Sequence, residues 1–569
     1  MRIKHLKINN YKGIHELEWE IPNRMVCLIG PGDSTKSTIL DAIELALWPS
    51  WNLQIIDNDF YQGSIKNEIQ IEVTVGEFPQ EFLSDEKYGL YLRGDINSEN
   101  DEPIDGDDSY LTVRLTVGDS LEPEWLIVNN RSEGKKISYK DRAKLCTSRV
   151  GVNFDKDFTL GKSSVLNRLS SQITGLNDLL LSTSRDVCMS TDLDCNVGFS
   201  DIIDQMTISA RDYGVKPHKK FNAKIDIKAF NMGASAIAVH DGEVPLRLSG
   251  LGTRRLISMG LNMNCSDIGS MVLIDEVENG LEPYRLRNLL KKLKMVIQKC
   301  GQVIITSHSP ITVIELPVEN IVIVRSEQGK TECKSIGNDL QAIVRRMPEA
   351  ILSPRVLVCE GKTEYGICMA LDKNEDLNGR GSIACEGVCY IEGGGDEAYK
   401  RASEIRKLGY EVALFIDSDV LKVNIEADKL KALGVEIIRW ADNVSTDERI
   451  FLDLPWMAIQ DMIDIAVEGK GEISVLDSIR AKMGREISTT NVKDWTDLEK
   501  SEGDIRIALG ELAKSKSGAW YKRVDLGEQV GKIVMKHYGE IEEQNDLGRV
   551  IKQLKGWIYG PDIYGRTAD

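Results

Sequence analysis

The chain has 569 residues and a formal net charge of −18, from 71 Lys+Arg against 89 Asp+Glu. At about 100–200 residues per domain this length predicts about three domains, and a hydrophobic fraction of 42% excludes wholesale disorder. The acid excess excludes a simple basic nucleic-acid coat protein, yet it permits a local basic groove, because net charge averages over the whole surface.

No run nears the ~20 apolar residues that span a bilayer, and the opening MRIKHLKINNYKGI lacks the apolar stretch of a signal peptide. No membrane partner is expected. The eleven cysteines are scattered. Cys385 and Cys389 are the closest pair, and no second pair completes a zinc half-site. Cys27 and Cys359 sit in apolar runs and read as buried free thiols, so a reduced, cytoplasmic protein is expected. With only six histidines, any metal would rest on carboxylates, which favour hard ions such as magnesium or manganese.

Along the chain, MVCLIG (25–30) is a short apolar run, PGDSTKST follows, and ILDAIELALW has a helical pattern. Strand, loop and helix place Gly30, Lys36 and Ser37 at the spacing of the phosphate loop G-x-x-x-x-G-K-[ST], with Gly32 and Thr38 beside them. Backbone N–H groups at the helix start would cradle phosphates, Lys36 would reach the β/γ-phosphates and Ser37 would bind Mg²⁺. Thr35 stands where Gly is usual, and its Cβ restricts φ, which puts hydrolysis rate and nucleotide affinity in question. Glycine-containing turns before helices are common, so this loop alone decides nothing.

An acidic stretch, INSENDEPIDGDDS (96–109), reads as solvated. Residues 161–235 read as a helical insert that dimerises or acts as a lid. In LSGLGTRR (248–255), Ser249 and Gly250 suit a loop and helix start that contacts the γ-phosphate of a nucleotide held by a second subunit. MVLIDEVENGLEP (271–283) is an apolar strand ending in Asp275, which would hold Mg²⁺, and Glu276, which would polarise the attacking water. An exposed acid pair at a strand end is the plainer alternative. VIITSHSP (303–310) is another strand with a polar loop, in which His308 could sense the γ-phosphate. The order of these pieces resembles the ABC-type ATPases of the SMC/RecF group, split into 1–160 and 236–350. The Mg²⁺-sensing glutamine that this resemblance implies has only Gln54 as a candidate.

Beyond Pro354, RVLVCEGKTEYGICMAL (355–371) is a strand followed by Glu360, with Glu364 one helical turn on, so that both carboxylates face one point. VCYIEGGGDE, EVALFIDSD (411–419) and VEIIRW (435–440) alternate with helical segments. This predicts a parallel sheet with ligands at the carboxyl ends of its strands, where Asp417 and Asp419 join Glu360 and Glu364. Four acids without matching cations would repel one another unless they bind divalent metal. Two metals about 4 Å apart can stabilise both oxygens of a phosphodiester displacement.

The pattern resembles the TOPRIM domain, and an SMC/RecF-like ATPase followed by TOPRIM (351–569) resembles the OLD family of nucleases. Within that family, the architecture is similar to the nuclease subunit of Gabija antiphage systems and to OLD nucleases linked to retrons. The resemblance implies a third acid, for which STDERIFLDLP (445–455) offers Asp447 and Glu448, with Glu448 preferred. It also implies a lysine before an aromatic. In KSKSGAWYKR (514–523) this favours Lys516, with Lys522 as the other choice, to stabilise charge on the transition-state phosphate. The same basic stretch suits the phosphate backbone of DNA.

The expected fold is thus α/β: an ABC-type ATPase with a helical dimerisation insert, then a TOPRIM parallel-sheet domain. The expected activity is Mg²⁺- or Mn²⁺-dependent DNA endonuclease, regulated by ATP and serving antiphage defence. Expected partners are DNA, further copies of the chain as a dimer or tetramer, and a helicase subunit or a reverse transcriptase with its nucleic acid. A topoisomerase would need a nucleophilic tyrosine on a further domain, for which no length remains. A non-nucleolytic ATPase sensor or scaffold is the other alternative.

Overall fold

The computed structural model describes residues 1–94, 101–104, 108–145, 147–151, 158, 182–183, 185–187, 190, 197–212, 221, 239–264, 271–297, 301–484, 487–495, 501–515, 519–541 and 544–560. Most of the expected insert at 161–235 lies outside these residues, apart mainly from the helix Val197–Asp212. The chain divides into two compact units. One comprises Met1–Leu28, Thr35–Ser307 and Ser326–Thr331, and the other Ile29–Ser34, His308–Arg325 and Glu332–Asp569. Among the described residues, no helix is long and apolar enough to cross a membrane.

The strands up to residue 335 are β1 Arg2–Tyr11, β2 Ile14–Glu20, β3 Met25–Ile29, β4 Ile69–Gly76, β5 Tyr110–Val117, β6 Pro123–Val128, β7 Lys135–Lys136, β8 Thr147–Val150, β9 His240–Asp241, β10 Val244–Pro245, β11 Met271–Ile274, β12 Gln302–Thr306, β13 Ile321–Glu327 and β14 Lys330–Ser335. Twelve form one mixed sheet in the order β7-β6-β5-β4-β1-β2-β14-β13-β3-β12-β11-β8. The strand β1 pairs antiparallel with β2 and β4, whereas β3, β12, β11 and β8 run parallel. Sequence explains the difference. Buried and exposed residues alternate along much of β2, as in a strand with one solvated face, while β3, β11 and β12 are buried throughout, as parallel strands covered on both faces are.

The acidic stretch near residue 100 is corrected in part. Asp101 is fully buried and ion-paired with Arg93 at 2.7 Å and Arg131 at 2.9 Å. A carboxylate withdrawn from water needs such partners, and the arginines come from outside the acidic run, where its composition gives no sign of them.

The second unit carries a four-stranded sheet of β15 Arg355–Cys359, β16 Val388–Glu392, β17 Glu411–Ile416 and β18 Glu436–Arg439. Its order is β16-β15-β17-β18, and every pair is parallel. The helices that matter below are α1 Lys36–Ala46, α2 Leu251–Asn264, α3 Lys362–Leu377, α4 Ala398–Lys407, α5 Thr446–Asp453, α6 Glu502–Lys514 and α7 Val524–Lys536.

Helices α3 and α7 meet backbone to backbone. A Cβ on Gly366 would lie 2.2 Å from the Gly527 carbonyl carbon, and one on Gly531 would lie 2.7 Å from the Ala370 Cβ. In an exposed helix, Gly→Ala would stabilise by about 1 kcal/mol. Here the neighbour is backbone and cannot step aside, so Gly366→Ala is expected to destabilise by about 1–3 kcal/mol through overpacking. Urea unfolding of the two proteins reads the sign directly.

Candidate functional site

The first group of predicted residues gathers around Asp275, just beyond the end of β11. Its Oδ1 accepts hydrogen bonds from the Ser37 hydroxyl at 2.9 Å and the Thr306 hydroxyl at 2.7 Å. Its Oδ2 lies 3.2 Å from the Arg149 guanidinium, which also pairs with Asp41 at 2.6 Å. The hydroxyl of Ser37 and the carboxylate of Asp275 are thus adjacent hard oxygen donors, the chemistry that suits Mg²⁺. Lys36 is buried, and Thr38 is half-buried.

The glycine-poor loop before α1 has the geometry that the sequence raises as a question. Thr35 holds φ +64° at the N-cap of α1, without a side-chain capping bond. The left-handed region costs a residue with a Cβ roughly 1–2 kcal/mol. The Thr35 hydroxyl lies 3.2 Å from that of Thr331, a contact glycine could not make. Gly30 has φ +151°, and a Cβ there would lie 2.4 Å from the Val324 carbonyl oxygen, so only glycine fits. Gly32 is exposed, with nothing near its missing Cβ.

Glu276 follows Asp275 with φ +45°. Its N–H donates to Thr306 Oγ1 at 2.7 Å, and its carboxylate accepts from Asn279 at 3.1 Å. Fully buried Arg255 donates to the carbonyls of Asp275 and Glu276, fixing the loop on which both acids stand. In the first turn of α2, Gly252 packs so tightly that a Cβ would lie 2.3 Å from the Gly280 carbonyl oxygen. Ser249 is half-buried ahead of that turn, while Gly250, Gln54 and His308 are exposed, His308 in the loop after β12. Arg149, Thr306 and Arg255 go unread in the sequence. Thr306 is the last residue of the VIIT strand and could be found by position, whereas nothing in the sequence marks Arg149.

The second group lies wholly in the second unit. Glu360 directly follows β15 and Asp417 directly follows β17, neighbouring parallel strands, so the topology brings them together. The Asp417 N–H donates to Glu360 Oε2 at 2.7 Å. Burial first, then the Glu364 carboxylate, pushes Glu360 up to about 7 against the opposing pull of the Asp417 N–H and Lys522. Asp417 is likewise raised well above the usual carboxylate range by burial, then by Glu364 and Glu360. Its Oδ1 accepts from both the N–H and the hydroxyl of Thr446, each at 2.6 Å. Glu364 is 2% exposed. Its Oε2 accepts from the Gly361 N–H at 2.8 Å, while Oε1 is buried with no hydrogen-bond partner among the described residues.

Asp419 and Glu448 share the Lys514 ammonium, at 3.0 and 3.1 Å. Glu448 also closes a capping box on Ser445, accepting its N–H and hydroxyl at 2.8 Å each. Burial opposes ionisation of Glu448, but these bonds and Lys514 hold it below its ordinary value. Asp447, in contrast, is fully buried, with the Lys522 ammonium at 3.2 Å. Burial raises it despite Lys522, and Lys522 is raised in turn, against burial, by Asp447, Glu364 and Asp417. The geometry places Asp447 and Lys522 beside Glu364 and Asp417, while Glu448 closes the cap and shares Lys514 with Asp419. The spacing Ser445-x-x-Glu448 is itself a capping-box signature and is the sequence signal for this. Lys516 lies outside the described residues.

The donor set fits a hard divalent ion in its chemistry: clustered carboxylates, three of them (Glu360, Asp417 and Asp447) held towards the protonated form, and buried oxygens of Glu364 and Asp447 without a hydrogen-bond partner among the described residues. In the arrangement described, however, no group of three or more His, Cys, Asp or Glu side chains among the described residues is placed to hold a metal ion. Lysines 514 and 522 pair with three of the acids instead.

Residues 1–165 match the family model described as "AAA ATPase domain", and residues 235–314 match one described as "AAA domain, putative AbiEii toxin, Type IV TA system". Together these stretches enclose Lys36, Ser249, Asp275 and His308. The chain is similar to the Old nuclease of Escherichia phage P2, with 21% identity over 333 residues, covering 52% of this chain and 54% of that protein. The chain thus spans about half the length of the curated relative it matches. Solved structures similar to it include an SMC head bound to the C-winged helix domain of ScpA, with 15% identity, a TM-score of 0.35, and coverage of 60% of this chain and 100% of the other. Another is the SMC head domain from Thermotoga maritima, with 15% identity, a TM-score of 0.31, and coverage of 59% and 100%.

Proposed function

We propose that the chain is a divalent-metal-dependent DNA endonuclease of the OLD type, with a TOPRIM-like nuclease centre regulated by ATP at the site around Asp275. The observation that carries this is the pairing of Glu360 with Asp417 at the ends of adjacent parallel strands, with Glu364 and Asp447 buried beside them. The similarity to the Old nuclease supports it.

Glu360, Glu364 and Asp417 would hold the metal, with Asp447, Asp419 or Glu448 completing the set. A bound Mg²⁺ or Mn²⁺ supplies charge neutralisation and Lewis acidity to phosphodiester hydrolysis. Thr446 fixes the Asp417 carboxylate. Lys522 offers positive charge to the transition-state phosphate, held in place by the buried Tyr521, whose hydroxyl donates to the Met462 carbonyl at 2.7 Å. At the other site, Gly30, Gly32, Lys36 and Thr38 would embrace the nucleotide phosphates, Ser37 and Asp275 would hold Mg²⁺, and Glu276 would orient the attacking water. Ser249 and Gly250 of a second copy would cap the γ-phosphate and His308 would sense it, which calls for a dimer or tetramer. An antiphage role, with a helicase subunit or a reverse transcriptase as partner, belongs to the same proposal.

The test is nicking of supercoiled plasmid by the full chain in Mg²⁺ and in EDTA. Nicking in Mg²⁺ or Mn²⁺ and none in EDTA is expected, and equal nicking in both removes the metal. For regulation, Lys36→Ala is expected to weaken ATP binding about 10–100-fold, the worth of a charged phosphate contact, as read by titration with a fluorescent ATP analogue. If that variant cleaves and responds to ATP as the parent does, ATP gating is wrong. The Lys514 bridge between Asp419 and Glu448 favours one competing reading, a non-nucleolytic ATPase in which the acids are structural. Unchanged nicking in Glu360→Ala would move the cleavage elsewhere.

A further inference from the structure

A cavity of about 530 Å³ opens on the second unit beside the edge strand β16. None of the acids discussed above lines it. Its floor is apolar, from Met347 and Ile391, each 7% exposed, and Ala350. One wall is the aromatic pair Tyr365 and Tyr390, with ring centroids 5.2 Å apart and planes tilted by 54°. The Tyr390 hydroxyl donates to Asp372 at 3.3 Å, which anchors that ring.

The polar groups at the rim are of both signs. Arg346 ends the helix Gln341–Arg346 and is exposed, as are Glu349 and Glu392. Among the described residues none of these three makes an ion pair. Arg401, on α4, is buried; it donates to the Glu392 carbonyl at 2.9 Å and pairs with Glu397 at 3.3 Å. Gly394, with φ +83°, leaves room for that guanidinium, since a Cβ would lie 2.9 Å from Arg401 Nη2. The glycine turn after β16 is thus shaped around a buried cation at the cavity wall.

The volume falls within the range of about 300–1,000 Å³ typical of small-molecule pockets. Tyrosine faces stack on planar rings, an arginine binds phosphate, and unpaired carboxylates accept N–H donors such as exocyclic amino groups. A ligand that satisfies all three is planar, anionic and amino-bearing. We propose that this cavity binds one unpaired nucleotide with an amino-bearing base, its ring against Tyr365 and Tyr390, its amino group towards Glu349 or Glu392, and its phosphate on Arg346. A free nucleoside monophosphate and a nucleotide within a single strand share that chemistry. Tyr365 follows Glu364 on α3, so an occupant would press on the turn that carries an acid of the nuclease centre.

The test is isothermal titration calorimetry on the full chain carrying Lys36→Ala, in EDTA, so that cleavage is absent and binding at the ATP site is weakened, with Arg346→Glu in the same background reading the cavity alone. GMP, AMP and CMP at millimolar concentration are expected to bind, and UMP more weakly. Arg346→Glu and Tyr390→Ala should each weaken binding by about tenfold or more, and Tyr390→Phe, which keeps the ring, should not. A short single strand that binds as well points to the strand as source. Binding of the monophosphates alone points to the free nucleotide. No binding by any of these, or unchanged affinity in Arg346→Glu, overturns the proposal, and UMP binding as tightly as GMP overturns the role of the amino group. Because cleavage is absent from the assay, failure here leaves the nuclease proposal standing.

Discussion

Asp417→Asn is expected to reduce plasmid nicking by at least about 100-fold, since even residues that only support metal ligands are worth about 10–100-fold. The substitution preserves shape. Asparagine can still accept the two Thr446 bonds through its Oδ1, so the loop after β17 should hold. What it removes is the carboxylate charge that faces Glu360 and Glu364. Without a metal those three acids repel one another, and the neutral amide relieves the repulsion. Folding stability should therefore be unchanged or slightly raised while cleavage is lost. Nicking rates in Mg²⁺, read with urea unfolding of the same preparations, separate these effects. Loss of cleavage together with loss of stability would instead mark Asp417 as structural.

The largest loss of stability is expected at Trp440. It is 1% exposed and meets Phe415 edge to face, with centroids 5.5 Å apart. Its indole N–H donates to Thr446 Oγ1 at 2.6 Å, and that same hydroxyl donates to Asp417. Trp440→Ala should cost about 3–5 kcal/mol, the usual range for emptying a buried aromatic site, as read from the urea midpoint. Trp440→Phe keeps most of the volume and removes only the donor. A smaller loss of about 1–2 kcal/mol is expected for it, with slower nicking as the Thr446 hydroxyl loses its orientation. Equal stability of Trp440→Phe and the parent would mean that the indole bond contributes nothing.

Much of the acid centre is legible in sequence because strands buried on both faces announce themselves. RVLVC and EVALFI are unbroken apolar runs, and in a parallel sheet the residue after such a run has one place to go, so Glu360 and Asp417 must converge if their strands are neighbours. Glu364 is legible from the helical turn that follows. Lys522 is legible only as the second choice to Lys516, and Lys514 not at all, because these lysines arrive from α6 and the segment after it, far along the chain, and a lysine's reach hides its target. The choice between Asp447 and Glu448 turns on the rotation of α5, which the Ser445 cap fixes. Arg149 belongs to the same class as the lysines: it comes from a short strand with no motif and finds Asp275 only through the order β12-β11-β8. The loop at Thr35 is legible as a departure from glycine, but its positive φ and its hydroxyl's neighbour Thr331, about 300 residues away, are not.

The most direct measurement is the anomalous difference map of crystals of the full chain soaked in Mn²⁺. A peak is predicted at about 2.0–2.4 Å from carboxylate oxygens of Asp417 and Glu360, lost in Asp417→Asn. A map with manganese only beside Ser37 and Asp275, from a protein that still nicks plasmid, would contradict the assignment of the nuclease centre.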